Sequence, residues 1–214
     1  MMRNKKIKYA LVGCLLVLVG YKSVYFKKLS EVQAAAASGK FDAAAYARTF
    51  WVEQLTPGLA AATDLPQLLA LLQTDKEGAF KKHSQALGIG NLRYFLVKGE
   101  GTITALQENE LSLALQPDSS GTVITLATEF IYGNAVRDAL GLMDLNDFSN
   151  TMDMNNVSAE INKKIRTEIL PPFLAKARKG SVVQFTGALE LNQQHLRLNK
   201  IEVIPISLQL AERN

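Results

Sequence analysis

At Leu92 the spacing of apolar residues changes from a helical period to a strand period. This change constrains the fold of the 214-residue chain more than any other feature. Leu92–Leu106, Glu110–Gln116 and Thr122–Phe130 are rich in β-branched and aromatic residues, and the turn-like stretches Gln107-Glu108-Asn109 and Pro117-Asp118-Ser119-Ser120-Gly121 separate them. A helix follows, because Val157, Ile161, Ile165 and Ile169 recur every four residues, and Pro171-Pro172 bends or ends it. Arg178-Lys179-Gly180 turns the chain into two more strands, Ser181–Leu191 and His195–Leu210. Gly187 reads as a bulge in the first of these, and the second changes phase near Asn199-Lys200 as a bulge would.

Three strands, a helix and two strands is the order of the five-stranded oligonucleotide/oligosaccharide-binding (OB) barrel. The expected class is therefore α+β, with an OB-like antiparallel barrel over 91–214 and its helix between strands 3 and 4. An open antiparallel sheet with one helix on a face is the competing architecture. Residues 29–90 read as a helical segment. Asp42 caps a helix over Ala43–Leu55 whose stripe includes Tyr46 and Phe50, with Trp51 beside it, and Thr56-Pro57-Gly58 breaks or bends it. Asp64-Leu65-Pro66 starts another helix, with Leu65, Leu68, Leu69 and Leu72 on one face. A short amphipathic stretch from Asp75 to Leu87 stops at Gly88-Ile89-Gly90.

Residues 1–28 read as a membrane anchor or signal. Tyr9 to Tyr21 carries no charge, and the apolar stretch reaches 18 residues when extended to Phe26 across Lys22, the lower edge of what spans a bilayer as a helix. Four basic residues (Arg3, Lys5, Lys6, Lys8) precede the run and three (Lys22, Lys27, Lys28) follow it, so the positive-inside rule places the domain outside, facing the periplasm of a bacterial inner membrane. No small-x-small cleavage site follows the run. Leu11-Val12-Gly13-Cys14 resembles the box that precedes a lipid-modified cysteine, but only Tyr9 to Gly13 lies between the last lysine and Cys14. The sequence thus favours an uncleaved helix over residues 9–26, with a lipoprotein as the alternative.

The net charge of +4 arises in the anchor: its seven basic residues meet no acid, and residues 29–214 carry a net −3. No basic cluster there exceeds Lys163-Lys164-x-Arg166, which argues against nucleic acid as a partner. Cys14 is the single cysteine, so the domain has no disulfide and no thiolate chemistry. His83 and His195 lie far apart and read as surface residues, no metal-ligand spacing is present, and no cofactor or enzyme activity is expected. Gly99-Glu100-Gly101 lacks the helix and the lysine of a phosphate loop and reads as a strand bulge.

The one dense polar stretch is the connection from Glu129 to Asp153. Arg137 and Asp138, with Asn146, Asp147 and Asn150, offer forks, amides and acceptors for sugar hydroxyls, and Tyr132 or Phe148 offers a ring for stacking. The same residues also fit a purely structural connection, with Arg137 paired to an acid, Asn146 or Asp147 capping a turn and Phe148 in the core. Asp144, Asn146 and Asp147 lack the glycine and terminal glutamate of a calcium loop.

Several segments, in the same order, resemble those of the predicted periplasmic lipoproteins grouped as domain of unknown function 2291. They are Phe41-Asp42-Ala43-Ala44-Ala45-Tyr46, Trp51, Val97-Lys98-Gly99-Glu100-Gly101-Thr102, Gly133-Asn134-Ala135-Val136-Arg137-Asp138-Ala139-Leu140, Asn146-Asp147-Phe148-Ser149-Asn150 and Ile201–Leu208 with Pro205. The resemblance implies an envelope accessory role beside sugar ABC importers, with importer components or a small sugar as partner, and brings no catalytic residues with it. One departure is that the family's lipid-modified cysteine usually closes the apolar run, whereas Cys14 lies in its middle.

Overall fold

Alternation along the five apolar segments turns every second side chain to one face, and a sheet with such a face closes on itself when its first and last partners meet. In the computed structural model, which describes residues 41–115 and 122–211, they do meet. Strands β1 (Leu92–Leu106), β2 (Glu110–Leu115), β3 (Val123–Ala127), β4 (Val182–Asn192) and β5 (Lys200–Leu210) run in the order β1-β2-β3-β5-β4, and β4 pairs again with β1. All contacts are antiparallel except β3–β5, which is parallel from Val123↔Lys200 to Leu126↔Val203. That is a closed barrel of OB topology, not an open sheet.

Phe95, Val97, Ile103, Leu113, Ile124, Leu126, Val183, Phe185, Leu189, Ile201 and Val203 fill the interior. Three glycines let the strands coil that tightly. A Cβ on Gly99 would meet the Phe185 ring at 2.9 Å, one on Gly101 the Ala114 carbonyl oxygen at 2.8 Å, and one on Gly187 the Ile204 carbonyl oxygen at 2.5 Å. Gly187 does sit at a register shift, against β5. Gly99–Gly101 does not: the β1–β4 register runs unbroken from Leu92 to Thr102, and the irregularity of β1 lies at Ile103/Ala105 opposite β2. The glycines there are needed for room rather than for an extra residue. The bulge expected at Asn199-Lys200 is also absent, because residues 193–199 form the loop and β5 begins at Lys200.

Helices α1 (Ala43–Phe50), α2 (Leu65–Thr74) and α3 (Lys76–His83) precede the barrel. Asp42, Asp64 and Asp75 each accept a backbone N–H three residues on, from Ala45, Gln67 and Gly78, which fixes where the helices begin. Leu65, Leu68, Leu69, Leu72 and Phe80 join the same core as the strands, with Phe80 edge-on to Phe95 at 5.2 Å. Each fully buried leucine contributes on the order of 2 kcal/mol. The stretch after α3 leaves the helix earlier than its amphipathic pattern predicts: Ser84-Gln85 pairs with Phe95 and Tyr94 of β1.

The sequence expects Pro57 to break or bend one helix and Pro171-Pro172 to bend or end another, and the chain stays helical through both. After α1 the chain widens into a π turn, Trp51–Leu55, closed by Thr56 N–H to Trp51 O, and it stays helical through Pro57. After α4 (Ala135–Asp138), helix α5 (Thr151–Lys164) widens likewise over Ile165–Ile169, closed by Leu170 N–H to Ile165 O, and continues as α6 (Leu170–Leu174) through Pro171-Pro172. A proline ring clashes with the carbonyl four residues back and lacks an N–H. A five-residue turn moves that carbonyl aside. Val157, Ile161 and Ile165 are buried, α5 packs on α1, and α4 packs on β4 and β1.

The anchor and the turn at Pro117–Gly121 lie outside the described residues. Among the described residues no helix is long and apolar enough to cross a membrane. The described residues from Asp42 onward belong to one compact unit, and Leu65, Leu68, Leu69, Leu72 and Phe80 of the helical segment share the core of the barrel.

Candidate functional site

Helix α5 and the π turn that continues it carry two stripes. One residue behind the apolar stripe, Ser158, Asn162 and Arg166 follow one another at four-residue steps and therefore share a face. That face is stitched to the loop 131–138. Ser158 Oγ donates to Asn134 Oδ1 at 3.1 Å, Asn162 Nδ2 donates to Gly133 O at 2.9 Å, and Arg166 Nη1 donates to Ile131 O. Gly133 holds a φ of +77°, which a side chain would strain.

Arg137 and Asp138, both only 3% exposed, are inside this arrangement. Arg137 Nε and Nη2 donate to Asp138 Oδ1 and Oδ2 at 2.5 and 2.9 Å, and Nη1 donates to Ser158 Oγ at 3.0 Å and Met154 O at 3.3 Å. The buried two-pronged contact, with Ser158 Oγ and Met154 O on Nη1, engages both carboxylate oxygens and all three guanidinium nitrogens with the chain itself. The second predicted cluster is separate and serves the chain as well. Asn146 donates from its backbone N and Nδ2 to Asp144 Oδ1, both at 2.8 Å. Asn150 caps α5, accepting from Asp153 N at 3.0 Å. Asp147 accepts from the Tyr46 hydroxyl at 2.8 Å, and Phe148 packs on that ring at 5.1 Å. Burial, then the Asp147 hydrogen bond and charge, push the Tyr46 hydroxyl well above its usual range.

Of the six predicted binding residues, Tyr132 alone stands free of both clusters. It is 65% exposed, with the Arg166 guanidinium over its ring at 5.4 Å. It opens onto a cleft of about 420 Å³ between the loop after β3 and the β4–β5 hairpin. Phe130, 59% exposed, is beside it. Glu190 and Asn192 of β4, His195 and Arg197 of the hairpin loop, and Glu202 of β5 line the cleft, and Lys200 at its edge is bridged to Glu110 at 2.6 Å. Asn192 Oδ1 accepts from the backbone of Gln194 and His195 at 3.0 and 2.9 Å, which fixes the loop and leaves its amide to the cleft. Burial and the neighbouring Glu190 charge raise the Tyr94 hydroxyl at the barrel wall. His83 is engaged elsewhere, its Nδ1 3.0 Å from Thr63 Oγ1, and burial, with Lys82 close by, lowers its pKa. Among the described residues no group of three or more His, Cys, Asp or Glu is placed to hold a metal ion.

Sequence reasoning overlooked the cleft because its walls come from positions 130–132 and 190–202, joined only by the β3–β5 and β4–β5 pairings. The polar stripe of α5 did leave a signal, its four-residue spacing.

The family model for predicted periplasmic lipoproteins, DUF2291, matches residues 14–209. The chain belongs to this family. The match opens at Cys14, the last residue of the Leu11-Val12-Gly13-Cys14 box. The description as lipoproteins supports the lipid alternative for attachment rather than the helix favoured by the sequence. Among solved structures the chain is similar to an OB-fold protein from Thermotoga maritima, with a TM-score of 0.71 and 26% identity over 81% of this chain and 100% of that one. A comparison with curated proteins finds no match.

Proposed function

We propose that this lipoprotein is a non-enzymatic binding module of the bacterial envelope, attached to the inner membrane through Cys14, facing the periplasm and accessory to a sugar import system. Its working surface is the cleft under Tyr132 rather than the Arg137 loop. One observation carries this reading: two exposed aromatic rings, Phe130 and Tyr132, share a cleft with Glu190, Glu202, Arg197 and the Asn192 amide. A sugar offers an apolar ring face for stacking and a rim of hydroxyls that both donate and accept, which is the complement of that lining. The cleft also lies at the β4–β5 loop, a part of the OB barrel commonly used for ligands. The importer partnership rests on the family resemblance.

The test is a thermal-shift screen of the protein against pentoses, hexoses, sugar phosphates and short oligonucleotides. A ligand at 100 times its Kd adds about 2.7 kcal/mol of stability. A shift with one sugar class that disappears in Tyr132→Ala supports the reading, and a flat screen, or a shift with oligonucleotides only, contradicts it. A second reading, a structural envelope protein that contacts only other proteins, is favoured by the internal engagement of Arg137 and Asp138. It predicts the flat screen.

A further inference from the structure

The hairpin-like connection between Ser84-Gln85 and β1 has an apolar tip. Antiparallel pairing of Ser84 with Phe95 and Gln85 with Tyr94 sets its base, and Ile89, between Gly88 and Gly90, is fully exposed at its end. The far side of the loop is pinned to the β4–β5 loop: Asn91 Nδ2 donates to Gln194 Oε1 at 2.7 Å and Arg93 Nε to Gln193 Oε1 at 3.4 Å. Leu87, Ile89 and Leu92 line one cleft of about 410 Å³ with Leu145 and Met154, and Leu92 and Leu145 are each about half exposed. Ile89 is the most exposed of the large apolar side chains among the described residues, and an apolar group held out at a loop tip beside Leu92 and Leu145 marks a contact surface.

We infer that this edge rests on the lipid bilayer, with Ile89 in the headgroup–acyl boundary. Two observations select lipid as the occupant. Lys81 and Lys82 are exposed just before the loop, Arg93 follows it, and no acid lies between Gly78 and Val97, so the apolar tip is framed by charge complementary to anionic headgroups. The acid that lines the cleft, Asp138, is engaged by Arg137, and Glu190 lies across β1 opposite Tyr94. In addition, 27 residues separate Cys14 from Asp42, and a chain of that length reaches at most about 90 Å. A domain confined so close to the membrane meets it at high effective concentration, so a weak apolar contact suffices. This inference rests on the membrane attachment proposed above, not on which anchor provides it.

The test places a reporter at the tip. Full-length protein carrying Ile89→Trp is reconstituted with vesicles of phosphatidylethanolamine and phosphatidylglycerol, and the parent, whose one tryptophan, Trp51, is buried, serves as the blank. Phospholipids brominated on the acyl chains should quench the added emission at least two-fold, while aqueous acrylamide leaves it largely intact. Lys81→Glu with Lys82→Glu should reduce the bromine quenching on the anionic vesicles. Acrylamide quenching without bromine quenching, on protein that still floats with the vesicles, places the edge in water and overturns the docking alone. Protection from both quenchers means that a protein or a second copy covers the edge, which overturns lipid as the occupant. Protein that does not float at all overturns the attachment and the docking together.

Discussion

Two polar regions of the molecule meet at Tyr132 and behave in opposite ways. The loop 133–138 with the face of α5 holds Arg137, Asp138, Ser158 and Asn162 almost completely out of water, and each is bonded to another part of the chain. The cleft wall formed by Glu190, His195, Arg197 and Glu202 is exposed. The more conspicuous motif in the sequence is the structural one. Charge density in a sequence signals a need for partners, and a buried pair meets that need internally. A surface offered to a ligand has to leave its groups unmet, and the residues of the proposed one are scattered along the chain and brought together by strand pairing.

Substitutions should separate the two regions sharply. The largest effect belongs to Asp138→Ala, which strands the Arg137 guanidinium in a buried site. Urea denaturation should show a loss of about 3–5 kcal/mol, and a loss below about 1 kcal/mol would mean that the pair is solvated and available to a ligand. Asn162→Ala comes next. It leaves Gly133 O without its donor and should cost about 1–3 kcal/mol, without altering any ligand bound in the cleft beyond that general destabilisation.

A pH effect follows from the contact of Tyr46 with Asp147. The folded state holds the Tyr46 proton above the ordinary tyrosine value of 10.0, and Tyr94 is shifted in the same direction. The unfolded chain therefore releases these protons first. The stabilisation is complete below pH 10 and is lost as the pH rises above it. Stability measured between pH 9 and 11 should fall, and Tyr46→Phe should flatten part of that fall; an unchanged slope would dissociate Tyr46 from Asp147. The smallest effect on stability belongs to Tyr132→Ala, expected within about 0.5 kcal/mol of the parent. Its consequence should appear in binding instead, as loss of the ligand-induced shift. A large loss of stability would make Tyr132 part of the packing and weaken the distinction between the regions.

The barrel was legible in the sequence because each strand carries its own alternation and the helix falls between the third and fourth. The starts of two helices were legible from Asp42 and Asp64, whereas the cap at Asn150 was not. Pro57 and Pro171-Pro172 were legible as points where a helix is disturbed, but not the π turns through which the chain stays helical there. The stripe Ser158, Asn162, Arg166 was visible at helical spacing, but its targets lie 24 to 35 residues away and no local rule connects them. The cleft was the least legible part. Phe130 and Tyr132 meet Glu190 and Glu202 only after β3 pairs with β5 and β5 with β4.

The most direct test of the division is a titration by two-dimensional NMR with the sugar that shifts the melting temperature most, following backbone amides and arginine Nε–H signals together. The account predicts changes at Tyr132, Asn192, Arg197 and Glu202, while the Arg137 Nε–H, held by Asp138, keeps its position throughout. A titration that moves the Arg137 signal and leaves the cleft amides in place would contradict it.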